Sequence, residues 1–348
     1  MRNLKSAMKK ILLILFVFCP VFNGTAQKNL SVSDSIFTFY KELVSTMKAE
    51  YLYKEKIDWS ETESELNRRL ENYTHFKSSL NEIKFLFDKV NAAHCSVNFR
   101  GNVYKDSNGG LTASDLSDEW LKKYAKKPQF EVKVLDDQYG YILMPGIDVL
   151  NSKKVNKIAQ SMYDEINKIK ISKNIKGWII DLRFNTGGAC MPMLLALYDF
   201  LGDNNVWGTL DVNKKQLSKV KLKNGNYIIG SKKEYSLNPN GELLDKATVV
   251  IITGIATASS GEVTALGFKG RENTIFVGEK TYGATTSNVI RDLPFGAYMA
   301  LTMGYDCDRN GIFYAKIIPD IEITDQDNFG NLLLDGNIKE GIKYIEGK

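Results

Sequence analysis

The sequence predicts an α/β domain preceded by a helical segment. Two apolar runs, at residues 177–182 and 247–252, each end in a turn of small residues that leads into a helix-like stretch. Strands that alternate with helices in this way are typical of a layered α/β domain. Upstream, apolar residues recur every three or four positions from residue 32 to about residue 90, which is the period of amphipathic helices.

Residues 1–26 have the pattern of a secretory signal peptide. Basic residues precede an apolar run at residues 11–22, and three small residues offer a cleavage site before Gln27. The run is too short to span a membrane. A lipoprotein signal is the alternative because Cys19 lies in the run, but the residue before it is bulky. We expect a mature chain that starts at Gln27 and is periplasmic or extracellular.

Residues 27–95 are expected to form a helical N-terminal domain. The apolar positions that set the helical period near its start are Ile36, Phe39, Tyr40, Leu43, Val44 and Met47. Residues 96–129 are polar and contain the turn-forming sequence Asn-Gly-Gly. The sequence therefore predicts a linker at 96–129, with a short helix at about residues 115–124.

Residues 130–330 are expected to form the α/β core. Its first predicted elements are strands at residues 130–135 and 140–144, a helix at about 155–169 and a strand that ends at Asp181. Asp181 and Arg183 are expected to form a structural ion pair. An insertion at about 206–246, rich in Lys, Asn and Gly, predicts a β-arm over one side of the site. Residues 331–348 are predicted to be a C-terminal tail.

Charge and cysteine content argue against several functions. The predicted signal peptide carries four positive charges, so the net charge of +5 falls to +1 in the mature chain. No basic tract interleaved with aromatic residues remains, and nucleic acid is not an expected partner. The mature cysteines are Cys95, Cys190 and Cys307, without C-x-x-C spacing. They predict at most one disulfide, and we expect neither a metal nor a cofactor.

Two turns of small residues carry the chemistry. The turn at 257–262 holds Ser259 and Ser260 between an apolar strand and a helix. Such a turn can expose a serine hydroxyl beside free backbone N–H groups, as a nucleophile requires. The turn at 184–188 contains Gly187 and Gly188, whose backbone can bend and approach a ligand closely. This second turn predicts a cradle for an oxyanion or a carboxylate.

Four short segments, at residues 181–188, 257–262, 277–283 and 318–321, resemble the motifs of a known family. They fit D-L-R-x-N-x-G-G, T-A-S-x-x-E, V-G-E-x-T-x-G and x-P-D-[IV], in that order. With them the chain resembles the S41 serine peptidases, which include C-terminal processing proteases, tricorn-core proteases and interphotoreceptor retinoid-binding proteins. The resemblance covers roughly residues 80–325. It implies a crotonase-like or ClpP-like ββα spiral, and the linker is too short for the PDZ domain of many processing proteases.

The resemblance implies two ways to activate the serine, because a hydroxyl needs a base to take its proton. Processing proteases use a lysine at the end of V-G-E-x-T-x-G-K, where this chain has Ala284; Lys280 is the nearest alternative. Tricorn-like proteases use a histidine at the start of the core, and His94 lies at that place. We therefore predict Ser259 as nucleophile and His94 as base. His75 lies in a polar helical stretch and is expected at the surface.

The residues that orient the histidine in tricorn-like relatives are not matched. A serine that precedes their histidine is replaced by Ala93, and the glutamate expected before the final Pro-Asp is missing. Asp306, Asp308 and Ser96 remain alternatives that the fold could bring to the ring. For His94 itself, an ordinary half-buried place at a helix-to-strand junction is the alternative to catalysis.

The oxyanion hole implied by the resemblance uses backbone N–H groups. Gly188 and Ser260 would donate them, and Gly187 would supply the bend. The T-A-S-x-x-E register selects Ser259, rather than its neighbour, as the nucleophile. An ordinary helix-entry turn is the alternative interpretation of the two glycines.

Three classes of function remain. The first is a secreted serine endopeptidase that hydrolyses peptide or protein substrates through Ser259 and His94. The second is a catalytically weak or inactive S41-like protein that binds a peptide or a hydrophobic ligand. The third is a crotonase-like acyl-CoA enzyme, which the signal peptide and the serine at the oxyanion turn disfavour. The sequence predicts the first class.

Overall fold

The computed structural model describes residues 31–108, 110–149 and 151–347, so the predicted signal peptide lies outside the described residues. The helices are α1 (Val32–Glu50), α2 (Trp59–Leu70), α3 (Phe76–Ser79), α4 (Glu82–Lys89), α5 (Asp118–Ala125), α6 (Ser152–Ser172), α7 (Cys190–Ala196), α8 (Tyr198–Leu201), α9 (Ser260–Leu266) and α10 (Gly336–Glu346). The strands are β1 (Ser96–Phe99), β2 (Asn102–Tyr104), β3 (Glu131–Leu135), β4 (Tyr139–Leu143), β5 (Gly177–Asp181), β6 (Asn205–Leu210), β7 (Gln216–Lys223), β8 (Asn226–Ile229), β9 (Lys232–Ser236), β10 (Val249–Thr253), β11 (Thr274–Gly278), β12 (Thr286–Leu293), β13 (Ala297–Cys307) and β14 (Ile321–Glu322).

A six-stranded sheet in the order β14-β11-β10-β5-β4-β3 forms the centre of the core. Its strands are parallel except β3, which is antiparallel to β4. Every residue of β5 and β10 is buried, as expected for a parallel sheet covered on both faces. Helices α6 and α7 cover one face with a large apolar cluster, and α10 covers the other. We call this the parallel sheet.

A second sheet has the order β2-β1-β13-β6-β7-β8-β9, and β12 also pairs with β13. Its strands are all antiparallel. Helices α1 to α4 pack on the β1 and β13 end of this sheet, where Phe39 and Leu43 share an apolar cluster with Val97, Met299 and Leu301. The N-terminal helices are therefore continuous with the second sheet through this cluster.

Two predicted segments have more structure than the sequence indicated. In the predicted linker at 96–129, β1 and β2 join the second sheet, whereas α5 at 118–125 corresponds to the short helix predicted at about 115–124. The predicted tail at 331–348 contains α10, which buries Ile338 and Ile345 on the parallel sheet. The short strands depend on distant partners, which local polarity does not reveal. The final helix, by contrast, has an apolar period of its own at Ile338, Ile342 and Ile345.

The insertion at 206–246 forms strands β6 to β9, which extend the second sheet. No residue of the insertion lines the cleft described below or the cavity beside it, so the expected position over the site is not seen there; α5 supplies part of the cleft wall instead. The mixture of sheets and helices confirms the predicted α/β class. None of the described helices is both long and apolar enough to cross a membrane.

The parallel sheet brings the ends of β5 and β10 together. These strands are direct neighbours, and Asp181 at the end of β5 pairs with Ile252 near the end of β10. The carboxyl ends of parallel strands share one edge of a sheet, which is where α/β proteins place their ligand sites. The two small-residue turns identified in the sequence therefore meet at this edge.

Candidate active site

Hydrogen bonds tie the two turns directly to each other. The N–H of Ala258 donates to the carbonyl of Asn185 at 3.0 Å, and the hydroxyl of Thr257 donates to the carbonyl of Leu182 at 2.9 Å. A Cβ on Gly261 would lie only 2.4 Å from the Asn185 carbonyl oxygen, so only glycine fits there. The turns are thus held at fixed separation by buried contacts.

Ser259 sits at a sharp bend between β10 and α9. Its φ is 52°, in the left-handed region that non-glycine residues rarely adopt. The carboxylate of Glu262 stabilises this bend by accepting the N–H of Ser259 at 2.9 Å. It also accepts the Thr281 hydroxyl and the N–H of Gly283. Burial raises the pKa of Glu262, and these hydrogen bonds oppose that rise.

His94 reaches Ser259 from the segment that joins α4 to β1. Its Nε2 lies 3.3 Å from Ser259 Oγ, and its Nδ1 lies 2.7 Å from the hydroxyl of Thr286. Burial lowers the pKa of His94 to about 4, although a hydrogen bond with the backbone of Thr286 works in the opposite direction. The ring is therefore neutral at neutral pH, which is the state that a general base needs.

The glycine turn lies against the serine. A Cβ on Gly187 would be 3.3 Å from the Cβ of Ser259 and 3.7 Å from its Oγ. A Cβ on Gly188 would lie 2.2 Å from the carbonyl oxygen of Ile147, and φ is above 100° at both glycines. The N–H of Gly187 donates to the side chain of Asn185. Close approach and positive φ both explain why glycine occupies these positions.

The N–H groups of Gly188 and Ser260 are free to bind a ligand. Among residues 31–108, 110–149 and 151–347, neither N–H has a hydrogen-bond acceptor. The hydroxyl of Ser260, by contrast, donates to the carbonyl of Gly188 and so links the two turns. Ser259 and Ser260 therefore have different surroundings, since only the Ser259 hydroxyl faces a base.

A cleft of about 730 Å³ opens in front of Ser259 and His94. Its apolar lining comes mainly from the segment before β3, and includes Val103, Leu111, Leu116, Trp120, Leu121, Tyr124, Ala256, Ala258, Tyr282 and Ala284. Lys105 is the one lysine in this lining, and no carboxylate belongs to it. A second cavity of about 590 Å³ runs along Gly187 and Gly188, and both cavities are lined by Tyr124 and Thr186.

Neither the alternative base nor any of the alternative partners predicted for His94 makes a hydrogen bond with its ring in the described chain. Lys280 is exposed and does not line the cleft. Asp308 instead accepts the N–H groups of two residues in its own turn, at 310 and 312. Asp306 is buried, is close enough to Glu262 to feel its charge, and has an Oδ1 without a hydrogen-bond partner among the described residues. Ser96 lines the cleft, but within the described chain it makes no hydrogen bond to the ring.

Two residues in contact with His94 were not predicted from the sequence. Thr286 binds the ring, and the side-chain amide of Asn288 donates to the carbonyl of His94 at 2.7 Å. Asn288 in turn accepts the hydroxyl of Thr302 at 2.8 Å. These polar residues lie about 190 positions from His94 in the chain, so only the pairing of β12 with β13 and of β13 with β1 brings them close.

Metal and thiol chemistry find no support in the described residues. No group of histidine, cysteine, aspartate and glutamate side chains among them has the arrangement to hold a metal ion. Cys95, Cys190 and Cys307 are buried free thiols. Burial raises the pKa of each, which keeps them protonated and unreactive.

Comparison with known proteins gives the family. A nisin-resistance protein from Lactococcus lactis is 27% identical, with 90% of this chain and 93% of that protein aligned. A carboxyl-terminal-processing protease from a Picosynechococcus strain is 24% identical over 50% of this chain and 41% of its own length. The solved structure of a Streptococcus agalactiae lipoprotein shares the fold, with a TM-score of 0.64, 22% identity and coverage of 91% and 97%.

The family model for peptidase family S41 matches residues 138–323, which include both turns but not His94. This range covers more than half of the chain. The S41 resemblance and the α/β fold that it implies are thereby confirmed. The chain belongs to peptidase family S41.

Proposed function

We propose that the chain is an exported serine endopeptidase with Ser259 as nucleophile and His94 as general base. The observation that carries the proposal is the 3.3 Å distance between His94 Nε2 and Ser259 Oγ at a strained strand-to-helix turn. A hydroxyl becomes an effective nucleophile when a base within hydrogen-bond reach takes its proton. Membership of a peptidase family supplies the reaction class.

The geometry supports an acyl-enzyme mechanism. Ser259 Oγ forms a bond to the scissile carbonyl carbon while neutral His94 takes the hydroxyl proton on Nε2. The N–H groups of Gly188 and Ser260 donate to the oxyanion. When the C–N bond breaks, the leaving amine takes the proton from His94. Water then attacks the ester with His94 again as base, which releases the acid and restores the Ser259 hydroxyl.

The cleft supports a peptide substrate with apolar side chains. Most of its lining is aliphatic or aromatic, and burial of apolar side chains favours binding. The second cavity continues past the glycine turn, so a bound chain would extend on both sides of Ser259. This arrangement supports cleavage within a peptide rather than removal of a terminal residue. The Lactococcus lactis relative is named for nisin resistance, and nisin is therefore one candidate substrate to test.

Export rests on the N-terminal sequence. Basic residues, a short apolar run and small residues before Gln27 fit a cleaved signal peptide. Intact-mass measurement of protein from the native cell envelope should give a chain that starts near Gln27 and carries no lipid. A diacylated chain that starts at Cys19 would refute this part of the proposal.

One observation favours a second candidate, a binding protein with little or no catalytic activity. The partner of the His94 ring is a neutral hydroxyl, whereas a carboxylate would stabilise the imidazolium formed during catalysis. Under this alternative the apolar cleft still binds peptides or hydrophobic ligands. Peptide binding without turnover, together with an unreactive Ser259, is its expected signature.

A fluorophosphonate probe tests the primary proposal. The wild type should be labelled, and Ser259→Ala should lose both labelling and peptidase activity. Ser260→Ala is the matched control: it keeps the backbone N–H and loses only the hydrogen bond to Gly188, which costs about 1 kcal/mol of folding free energy. Labelling that survives Ser259→Ala and disappears in Ser260→Ala contradicts the proposal. A folded wild type that is never labelled favours the binding protein.

A further inference from the structure

The first residues of β12 hold His94 at two points. Thr286 contacts the ring Nδ1 at 2.7 Å, and Asn288, two positions along the strand, donates to the His94 backbone carbonyl at 2.7 Å. β12 is fixed in turn by its long pairing with β13, in which Thr286 lies opposite Tyr305. Both the ring and the main chain of His94 are thus anchored to one strand of the second sheet.

The contact with Thr286 bears on which ring nitrogen carries the proton. Neutral imidazole has one protonated and one unprotonated nitrogen, and the hydrogen bond at one nitrogen determines the other. To take a proton from Ser259, Nε2 must be unprotonated, so Nδ1 must carry the hydrogen. The hydroxyl oxygen of Thr286, 2.7 Å away, can accept that Nδ1–H.

No other described side chain hydrogen-bonds Nδ1, although the backbone of Thr286 also contributes a hydrogen bond to the ring. The two hydrogen bonds of the ring go to Ser259 and Thr286, while Asp306 and Asp308 bond elsewhere or not at all. Burial disfavours the imidazolium and makes the orientation of the neutral ring the decisive variable. A hydroxyl suits a ring that is neutral at rest, because it can accept the Nδ1–H without adding a charge to the cleft.

We propose that Thr286 is a positioning residue, whose hydroxyl accepts the Nδ1–H of His94 and thereby keeps Nε2 free to take the proton of Ser259. This inference rests on the proposed function, in which His94 is the base. Thr286 does not touch the reacting atoms in this arrangement. Its effect is exerted through the tautomer and the orientation of the ring.

The chain is well suited to a direct measurement, because it contains only two histidines. His75 is exposed and serves as an internal reference, so ¹⁵N spectra of histidine-labelled protein report the His94 tautomer with little overlap. Three variants isolate the hydroxyl. Thr286→Val removes it at similar volume, Thr286→Ser retains it, and Thr285→Val removes the neighbouring hydroxyl, which donates to the Ala315 carbonyl instead.

In the wild type and in Thr285→Val, His94 should carry its proton on Nδ1 near pH 7. Thr286→Val should shift His94 toward the Nε2–H form and lower kcat about 10- to 100-fold, with KM changed less than about twofold, in line with the worth of a positioned base. Thr286→Ser, which retains the hydroxyl, should keep the tautomer and the kcat of the wild type. Thermal unfolding of each variant confirms that a folded protein is compared.

The outcomes separate the two proposals. An unchanged tautomer in folded Thr286→Val overturns the role of Thr286, whatever the activity of the wild type. Where the wild type is active, an unchanged kcat in folded Thr286→Val overturns it as well. A tautomer that shifts as expected in a protein whose wild type is inert toward both probe and peptides overturns the peptidase proposal, and with it any catalytic consequence of Thr286. Rescue by Thr286→Ser supports the inference.

Discussion

Two polar clusters lie near the same edge of the parallel sheet, one formed by charged side chains and the other by neutral ones. The first surrounds Arg183, whose guanidinium pairs with Asp181, Asp327 and Asp335 at 2.6 to 2.8 Å, almost completely out of contact with solvent. The second consists of His94, with neutral hydroxyl groups on both sides of its ring. The first cluster is a set of full charges, and the second contains none at neutral pH.

The difference follows from what each cluster has to do. The Arg183 cluster ties the end of β5 to the loop before α10, and a permanent charge network is compatible with a structure that never changes protonation. In the proposed mechanism His94 takes up and releases a proton, and a ring of low pKa between neutral groups keeps this base neutral at rest.

Removal of Arg183 should cause the largest loss. Arg183→Met leaves carboxylates buried without their partner, and breaking a buried ion pair from one side costs about 3–5 kcal/mol. Urea unfolding should show this loss. Lys343→Met is the control, because its pair with Glu340 is exposed and should be worth less than about 1 kcal/mol. Equal losses of unfolding free energy in Arg183→Met and Lys343→Met would mean that burial does not determine how strongly a charge pair stabilises the fold.

Removal of the base should abolish most activity with little effect on folding. His94→Ala should lower kcat/KM on the order of 10²-fold or more, whereas Lys280→Ala should stay within about twofold because Lys280 is exposed and outside the cleft. Peptide hydrolysis and probe labelling rates measure both. Loss of activity in Lys280→Ala with normal activity in His94→Ala would show that lysine, and not histidine, activates the serine.

Peptidase activity should begin to fall only at an unusually acidic pH. His94 acts in its neutral form, and burial lowers its pKa to about 4, so kcat/KM should stay level down to about pH 5 and fall as the pH drops through about 4. Circular dichroism at each pH, with return to neutral pH, separates titration from unfolding. A fall in activity near the ordinary histidine value of about 6.5 would mean that the ring is better solvated than the structure indicates.

Asp306 should make the protein less stable at alkaline pH. Burial and the charge of Glu262 raise the pKa of Asp306 to about 8, so the folded state holds this proton more tightly than the unfolded chain. Stability is therefore lost as the pH rises from about 4 through about 8. Asp306→Asn should remove that loss and raise Tm near pH 9 by about 3 °C or more.

Asp308→Asn is the matched control for this prediction. Asp308 lies two positions further along the chain and accepts backbone N–H groups from its turn, so the same change should lower Tm. A lower Tm for Asp306→Asn at pH 9 would show that the Asp306 carboxylate is stabilising despite its missing partner.

The sequence identified the parts of the site that depend on local patterns. The turns around Gly187 and Ser259 follow apolar strands, and neighbouring parallel strands place such turns together. His94 was selected by its position in the chain, and the structure places it 3.3 Å from Ser259. The roles of these residues stay predictions, because geometry alone does not measure activity.

Thr286 could not be found in the same way. A threonine in a polar run has no local signal, and its contact with His94 depends on the register of three paired strands. The helix at 336–346 differs, since Ile338, Ile342 and Ile345 carry a helical period that was present in the sequence but assigned to a tail. Contacts between distant strands were thus the main information that the sequence did not supply.

The order of the site residues along the chain has a consequence for biosynthesis. His94 is made early, Ser259 follows 165 residues later, and Thr286 lies 192 residues from His94. β1, next to His94, finds its partner only when β13 has been synthesised. The proposed nucleophile, base and support therefore cannot come together until nearly the whole domain is available to fold, and under the proposed function an unfinished chain would not cleave itself or its neighbours.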